Sequence, residues 1–275
     1  MYNREATIGR AEALVREKMA SYDPSHDALH VWRVRRLALK IAETELARNS
    51  PGTAPGPIDL DVVELAALFH DLQDHKYASA APESSATDSS ATKSAKPAAA
   101  QTTTEEMYQI MTEGGLDDAR AEIVFFVIKN TSYSTEKKLR AANPSGWTAR
   151  HVACRELHCV QDADRLDAIG TFGLFRAAAY SGAIDRPLYT FADDAINAAR
   201  TVAEIPHCQK GSNGLPPPRE KQDAFSSYQH FHDKLLTLKD LMKTETGRIV
   251  GQRRHAIMAA AIDAMDTEFD LADFP

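Results

Sequence analysis

From the first residues to the last, this chain repeats its apolar side chains at steps of three and four, and almost nowhere does it alternate apolar with polar. That is the helix period, so the chain is expected to pack helix on helix rather than close a sheet. Residues 4–20 place Ile8, Ala11, Leu14, Val15 and Met19 on one side. Residues 28–48 repeat Val31, Val34, Leu37, Ala38, Ile41 and Leu46 behind a capping Asp27. Residues 60–71 carry Val62, Leu65, Ala66, Leu68 and Phe69 after another cap, Asp59. Further helices are expected over 104–113, 118–129, 148–168, 171–181, 192–204, 223–243 and 247–268, with Gly182 closing one and Gly247 acting as a breaker. The sum is an all-α fold of about ten helices.

Three segments interrupt the pattern. Residues 49–58 are a Pro/Gly connection, and residues 206–222 form another loop. Residues 79–101 hold 8 Ala, 6 Ser, 2 Thr and 2 Pro, too little apolar surface to offset the entropy of ordering them. They are expected to be a disordered insertion. The segments do not divide the chain, because His and Asp motifs on either side of the first two need one another. A single helical domain over 1–275 is the expectation.

Charge narrows the partners. Lys and Arg number 32 against 39 Asp and Glu, a net charge of −7. A nucleic-acid polymer needs a basic face for counterion release, so it is not an expected partner; a small anion in a local basic pocket remains compatible. No apolar run has the length of a membrane span, and the first residues lack an apolar signal core. Three cysteines, Cys154, Cys159 and Cys208, suit a reducing compartment. The expected location is the cytoplasm, with the nucleus also compatible.

Four places concentrate metal-type ligands: residues 23–34, with His26, Asp27, His30 and Arg33; residues 70–76, with His70, Asp71, Asp74 and Lys76; residues 161–170; and His151, Cys154, His158 and Cys159. His-Asp pairs occur at 26, 70 and 232, so the pair alone is weak. His232-Asp233 lies in a helix with its own apolar stripe and reads as structural, and Asp27 of the first pair has capping work. His70-Asp71 differs, because it follows an almost wholly apolar helix, where burying an imidazole and a carboxylate is costly unless they pair or bind a cation. His30, His70, Asp71 and Asp164 would give two neutral nitrogens and two anionic oxygens, a set that balances one divalent cation and leaves positions open. Such a centre acidifies bound water and polarises a phosphoryl or carbonyl group.

The stretches S-H-D-x-x-H-x-x-R-V at 25–34, A-A-L-F-H-D-L-x-D-x-K at 66–76 and V-Q-D-A-D-R-L-D-A-I-G at 160–170 resemble the HD-domain superfamily of metal-dependent phosphohydrolases. The likeness is to its YpgQ/YedJ-like bacterial members and their fungal relatives, and residues 230–244 and 253–258 are similar too. The resemblance implies a helical fold with one divalent ion (Mn, Mg, Fe, Co, Ni or Zn) on His30, His70, Asp71 and Asp164. Asp164 is favoured over Asp162 because it alone matches the family's Ala-Asp-(Arg/Lys)-Leu context. The resemblance also implies a nucleotide or related phosphorylated metabolite as substrate, with some relatives releasing pyrophosphate.

Other polar residues fit around that centre. Asp74 either orients or deprotonates the attacking water, or pairs with Lys76. Arg33, one turn past His30, and Lys76 can neutralise phosphate oxygens. Asp167, Arg165, His26 and Asp27 either position ligands or touch substrate, and Asn130, Ser132 and Tyr133 are candidates for the pocket wall. His151 and His158 lie roughly 10.5 Å apart along a helix, too far to share an ion comfortably. Two other functions share the fold: a ligand-binding HD domain without turnover, which would show a lost ligand, and a diiron oxygenase. The latter needs extra histidines between the His-Asp pair and the last Asp, and only His75, His151 and His158 lie there.

Overall fold

Helix starts in this chain are fixed by side chains that accept from otherwise unmatched backbone N–H groups. In the computed structural model, which describes residues 1–48, 57–72, 96–142, 146–189 and 226–275 (backbone alone for 96–101), Asn3 opens α1 (Arg4–Lys18) by accepting from Ala6 N at 3.1 Å. Helix α2 (Ala28–Arg48) starts behind Asp27. Asp59 opens α3 (Leu60–Phe69), accepting from Asp61 N and Val62 N at 3.1 and 3.2 Å. Asp117 and Ser132 do the same for α5 (Asp118–Asn130) and α6 (Tyr133–Ala141). The remaining elements are α4 (Lys96–Glu113), α7 (Ala149–Ala153), α8 (Arg155–Asp167), α9 (Gly170–Ala183), α10 (Ser227–Asp233), a 3-10 helix (Leu235–Leu241) and α11 (Glu245–Phe269). No strand occurs among the described residues, so the all-α expectation holds.

Several boundaries differ from those expected, each for a local reason. The predicted helix 148–168 breaks at Cys154, whose extended backbone (φ −77, ψ 98) separates α7 from α8. His158 Nε2 sits 2.9 Å from the His151 carbonyl and bridges the break. The predicted helix 223–243 turns at Lys234 (φ −138, ψ −59) into the tighter 3-10 form. Helix α4 begins at Lys96, inside the Ala/Ser-rich stretch, because Ala98 to Ala100 are good helix formers. Helix α6 is not foreseen by the apolar spacing; its signal is the capping Ser132, whose Oγ accepts from Thr135 N at 3.1 Å. Gly247 breaks nothing. It lies in the first turn of α11, where a Cβ would come within 2.2 Å of Asp162 Oδ2, so close approach explains the glycine. The predicted helix 192–204, the loop 206–222 and residues 79–95 lie outside the described residues.

The chain groups into two compact units: Met1–Tyr22, His26–Asp164 and Lys243–Gly247 make the first, and Asp23–Ser25, Arg165–Met242 and Arg248–Pro275 the second. Two of the changes of unit fall inside helices, α8 and α11, so no linker marks them in the sequence.

In the first unit α3 is the central rod, packed by α1, α2 and α5. Every residue from Val62 to Phe69 is buried, each large apolar side chain contributing about 1.5–3 kcal/mol. Glu64 is buried with them. Its carboxylate takes Arg35 Nε at 2.9 Å and pairs with Arg4, and Arg35 Nη1 also reaches Glu12 at 2.7 Å. The N-terminus of α3 is tied as firmly. Arg120 of α5 bonds Asp59 at 2.7 and 2.8 Å and Asp61 at 2.8 Å, while Glu156 of α8 accepts from Asp59 N at 2.9 Å.

In the second unit, Arg176 of α9 donates to Asp167 (3.1 Å) and to the Ser25 carbonyl (2.6 Å). Arg254 Nη1 donates to the Leu166 carbonyl near the end of α8. Tyr228 and Tyr189 both reach Asp266, at 2.9 and 3.3 Å. Two backbone bonds of 2.9 Å, Ser227 N to Pro187 O and Tyr228 N to Leu188 O, stitch the chain before residue 190 to the chain after residue 225.

Candidate metal centre

Three helices of the first unit each bring one part of the site. Helix α2 brings His30 at its third residue, its N–H pointed at Asp27, whose Oδ1 and carbonyl both lie 3.0 Å away. Helix α3 ends at Phe69, and His70 continues it with helical dihedrals (φ −58, ψ −32), so His70 and Asp71 extend from a rod anchored at its other end. Helix α8 brings Asp164. Nε2 of His30 lies 3.3 Å from Asp71 Oδ2 and 3.6 Å from Asp164 Oδ1. Nε2 of His70 lies 3.4 and 3.9 Å from the same two atoms. The imidazole rings meet edge to face with centroids 5.3 Å apart.

The protonation of His70 follows from its neighbour. Its Nδ1 is 2.8 Å from the Ala67 carbonyl, which can only accept, so Nδ1 carries the hydrogen and Nε2 presents a lone pair. That lone pair is buried and has no hydrogen-bond partner among the described residues. Burial by itself would raise the Asp71 carboxyl, so its charged form needs positive charge beside it, from protonated imidazoles or, with His70 Nε2 unprotonated, from a cation. The His70 lone pair and the Asp71 and Asp164 carboxylate oxygens are all acceptors, and gathering them is unfavourable without a cation or donor among them. Ligands on a shell of about 2.0–2.2 Å stand about 3–3.5 Å apart, close to the 3.3 and 3.4 Å between Asp71 and the two imidazoles, so a divalent ion fits His30, His70 and Asp71. His30, His70 and Asp71 are the one cluster of metal-type ligands found among the described residues.

The structure separates the two candidate aspartates of α8. Asp164 faces the two histidines. Asp162 is fully buried and accepts from Lys243 N (2.8 and 3.0 Å), Thr244 N (2.7 Å) and Thr244 Oγ1 (2.7 Å). His26 stacks edgewise on His30 at 6.0 Å, and Asp27 is a helix cap. Arg33 is half-buried on α2, one turn past His30. Arg165 and Asp167 belong to the second unit, where Arg165 donates to the Leu241 carbonyl at 2.7 Å and Asp167 pairs with Arg176. Asp74, His75 and Lys76 lie outside the described residues.

The His151 group does not form another cluster. His151 Nδ1 accepts from Thr148 N at 3.1 Å, and its Nε2 is 3.1 Å from Asn130 Oδ1. Cys159 is buried, which pushes its thiol far up, and burial raises Cys154 to about 11, so neither is a thiolate at neutral pH. Ser132 caps α6, and Asn130 belongs to a buried polar chain that also includes Gln161. Sequence reasoning misses both Gln161 and Glu64; the signal for Glu64 is a lone acid in the middle of an apolar helix.

Helices that gather His30, His70 and Asp71 into one metal-type cluster, with no strand among the described residues, define an all-α metal-binding protein. Residues 28–169 match the HD domain, and the chain belongs to that family. It is 30% identical to YpgQ of Bacillus subtilis over 243 residues, 88% of this chain and 84% of that one. The structure of YpgQ in complex with ADP matches with a TM-score of 0.58 at 26% identity, covering 96% of both chains. A protein from Lactobacillus plantarum has the same fold, with a TM-score of 0.62 at 23% identity over 98% of this chain and 100% of that one. Among the described residues no helix is long and apolar enough to cross a membrane.

Proposed function

We propose that this chain hydrolyses a phosphate ester or anhydride of a nucleotide or a related phosphorylated metabolite. The observation that carries the reading is the cluster of His30, His70 and Asp71, with Asp164 Oδ1 3.6 and 3.9 Å from the two imidazoles as the fourth ligand we assign to one divalent cation. A cation so held supplies Lewis acidity toward a phosphoryl oxygen and makes water a better nucleophile at neutral pH. The protein's part is to place the reactants. Arg33 grips a phosphate oxygen from the helix that carries His30, and Asp74 and Lys76 take the water and another phosphate oxygen. The ADP complex of YpgQ supports a nucleotide as the ligand class. The diiron alternative is disfavoured, because both ring nitrogens of His151 are engaged by protein atoms and His158 bridges a helix break.

The test is a turnover screen of manganese-loaded protein against nucleoside mono-, di- and triphosphates, with phosphate and pyrophosphate detected separately. Pyrophosphate from a triphosphate identifies a pyrophosphohydrolase, and phosphate from a monophosphate a nucleotidase. Tight nucleotide binding without any product would replace this reading with a ligand-binding domain.

A further inference from the structure

Gln161 stands one turn before Asp164 on α8 and is fully buried. Its amide cannot be turned over. Nε2 donates to the Asn130 carbonyl at 2.8 Å, an atom that only accepts, so Oε1 must face the other way. Asn130 is held in turn: its Nδ2 donates to the Phe126 carbonyl at 2.7 Å, and its Oδ1 accepts from His151 Nε2 at 3.1 Å. The hydrogen is on that nitrogen because His151 Nδ1 accepts from the backbone N–H of Thr148. This series of fixed donors and acceptors ends on Gln161 Oε1, a buried oxygen with no hydrogen-bond partner among the described residues. Burying a carbonyl oxygen with nothing donating to it is unfavourable, so an O–H or N–H from beyond the described residues is called for.

Side chains three residues apart on a helix rise from one face, with Cβ atoms roughly 5–6 Å apart. Gln161 and Asp164 are such a pair, in the same unit. We propose that Gln161 is a positioning residue of the metal centre, its Oε1 accepting a hydrogen bond from the water that attacks phosphorus. The inference rests on the phosphohydrolase reading above. Gln161 takes no proton. The water oxygen forms the new bond to phosphorus, the bond from phosphorus to the leaving oxygen breaks, and the water's proton passes to bulk solvent. A neutral acceptor suits the task, since it aims one O–H of the water without adding a charge that competes for the cation.

Gln161→Met keeps the length of the side chain and removes both polar atoms. Three measurements on one preparation test the role: manganese(II) affinity from the free-ion EPR signal, solvent-proton relaxation by the bound manganese, and kcat and KM on a nucleotide that the wild type turns over. Affinity and KM are expected within about twofold of wild type, proton relaxation to fall, and kcat to drop about tenfold, the scale of one hydrogen bond. Gln161→Glu is the companion variant, and guards against misfolding of the first. Its protonated form can donate to the Asn130 carbonyl, so kcat should recover as pH falls. A loss of manganese affinity of about tenfold or more would make Gln161 a ligand and overturn the proposal. Unchanged relaxation and kcat would overturn it too, leaving Gln161 a structural amide. Should the wild type hydrolyse no nucleotide, the phosphohydrolase reading fails, while a drop in relaxation at unchanged affinity still supports a water held by Gln161.

Discussion

Asp162 and Asp164 are two residues apart on one helix, yet Asp162 takes hydrogen bonds from Lys243 N, Thr244 N and Thr244 Oγ1, while Asp164 faces the Nε2 atoms of two histidines. Two steps along a helix turn a side chain through about 200°, so the pair point nearly opposite ways. Neither role follows from the aspartate itself. Facing donors, a buried carboxylate becomes a fixed part of the scaffold, here the start of α11. Facing other acceptors, it needs a cation. The neighbours decide whether the group stabilises the fold or holds a ligand.

Substitutions should split the two regions cleanly. The largest effect is expected from Asp71→Ala. Manganese binding and turnover should vanish, with the circular dichroism and melting temperature of the metal-free protein little changed; a variant that still binds metal and turns over would remove Asp71 from the centre. Asp162→Ala should do the reverse. It strands the donors of Lys243 and Thr244, and urea unfolding should show a loss of about 3 kcal/mol or more, while the folded fraction binds manganese as before. Weakened metal binding without loss of stability would exchange the roles assigned to Asp162 and Asp164.

Gly247→Ala tests the same pocket from the other side. A Cβ 2.2 Å from Asp162 Oδ2 forces the carboxylate or the helix to move, at a cost of about 1–3 kcal/mol by urea unfolding. Arg33→Ala belongs with the metal region but not with its ligands. It should keep the metal and lose roughly 1.5–3 kcal/mol of transition-state binding, about tenfold to a hundredfold in kcat/KM, with Arg33→Lys recovering part. An unstable variant whose folded fraction turns over normally would make Arg33 a structural residue.

The smallest effect is a pH dependence. Burial pushes His151 and His158 below the ordinary histidine value of 6.5, so the unfolded chain binds more protons than the folded one near that pH. Their contribution to stability is present above 6.5 and is lost as pH falls through the depressed folded values. Chemical denaturation between pH 7.5 and 5 should therefore show stability declining with acid, and His151→Gln should flatten the decline. A slope unchanged in that variant would mean that His151 does not contribute.

Much of this is legible in the sequence because it is local. The three-and-four spacing marks α2 and α3, Asp27 and Asp59 mark their starts, and the lone polar pair after Phe69 marks the end that meets the other ligands. What is not legible depends on the partner across space. Nothing in D-A-D tells which aspartate meets backbone N–H groups 81 and 82 residues away. Glu64 is out of place in an apolar helix until Arg4 and Arg35 are seen beside it. Gly247 resembles a breaker until Asp162 is found against its α-carbon.

The two backbone bonds joining Pro187 and Leu188 to Ser227 and Tyr228 bear on how such a chain can change over generations. Beside them, Tyr189 and Tyr228 share Asp266 as an acceptor. Each doubling of the length between two fixed ends costs only about 0.6 kcal/mol in closure entropy. Because Pro187 and Leu188 are joined to Ser227 and Tyr228 by bonds of their own, lengthening the connection between these ends would cost them little more than this entropic term.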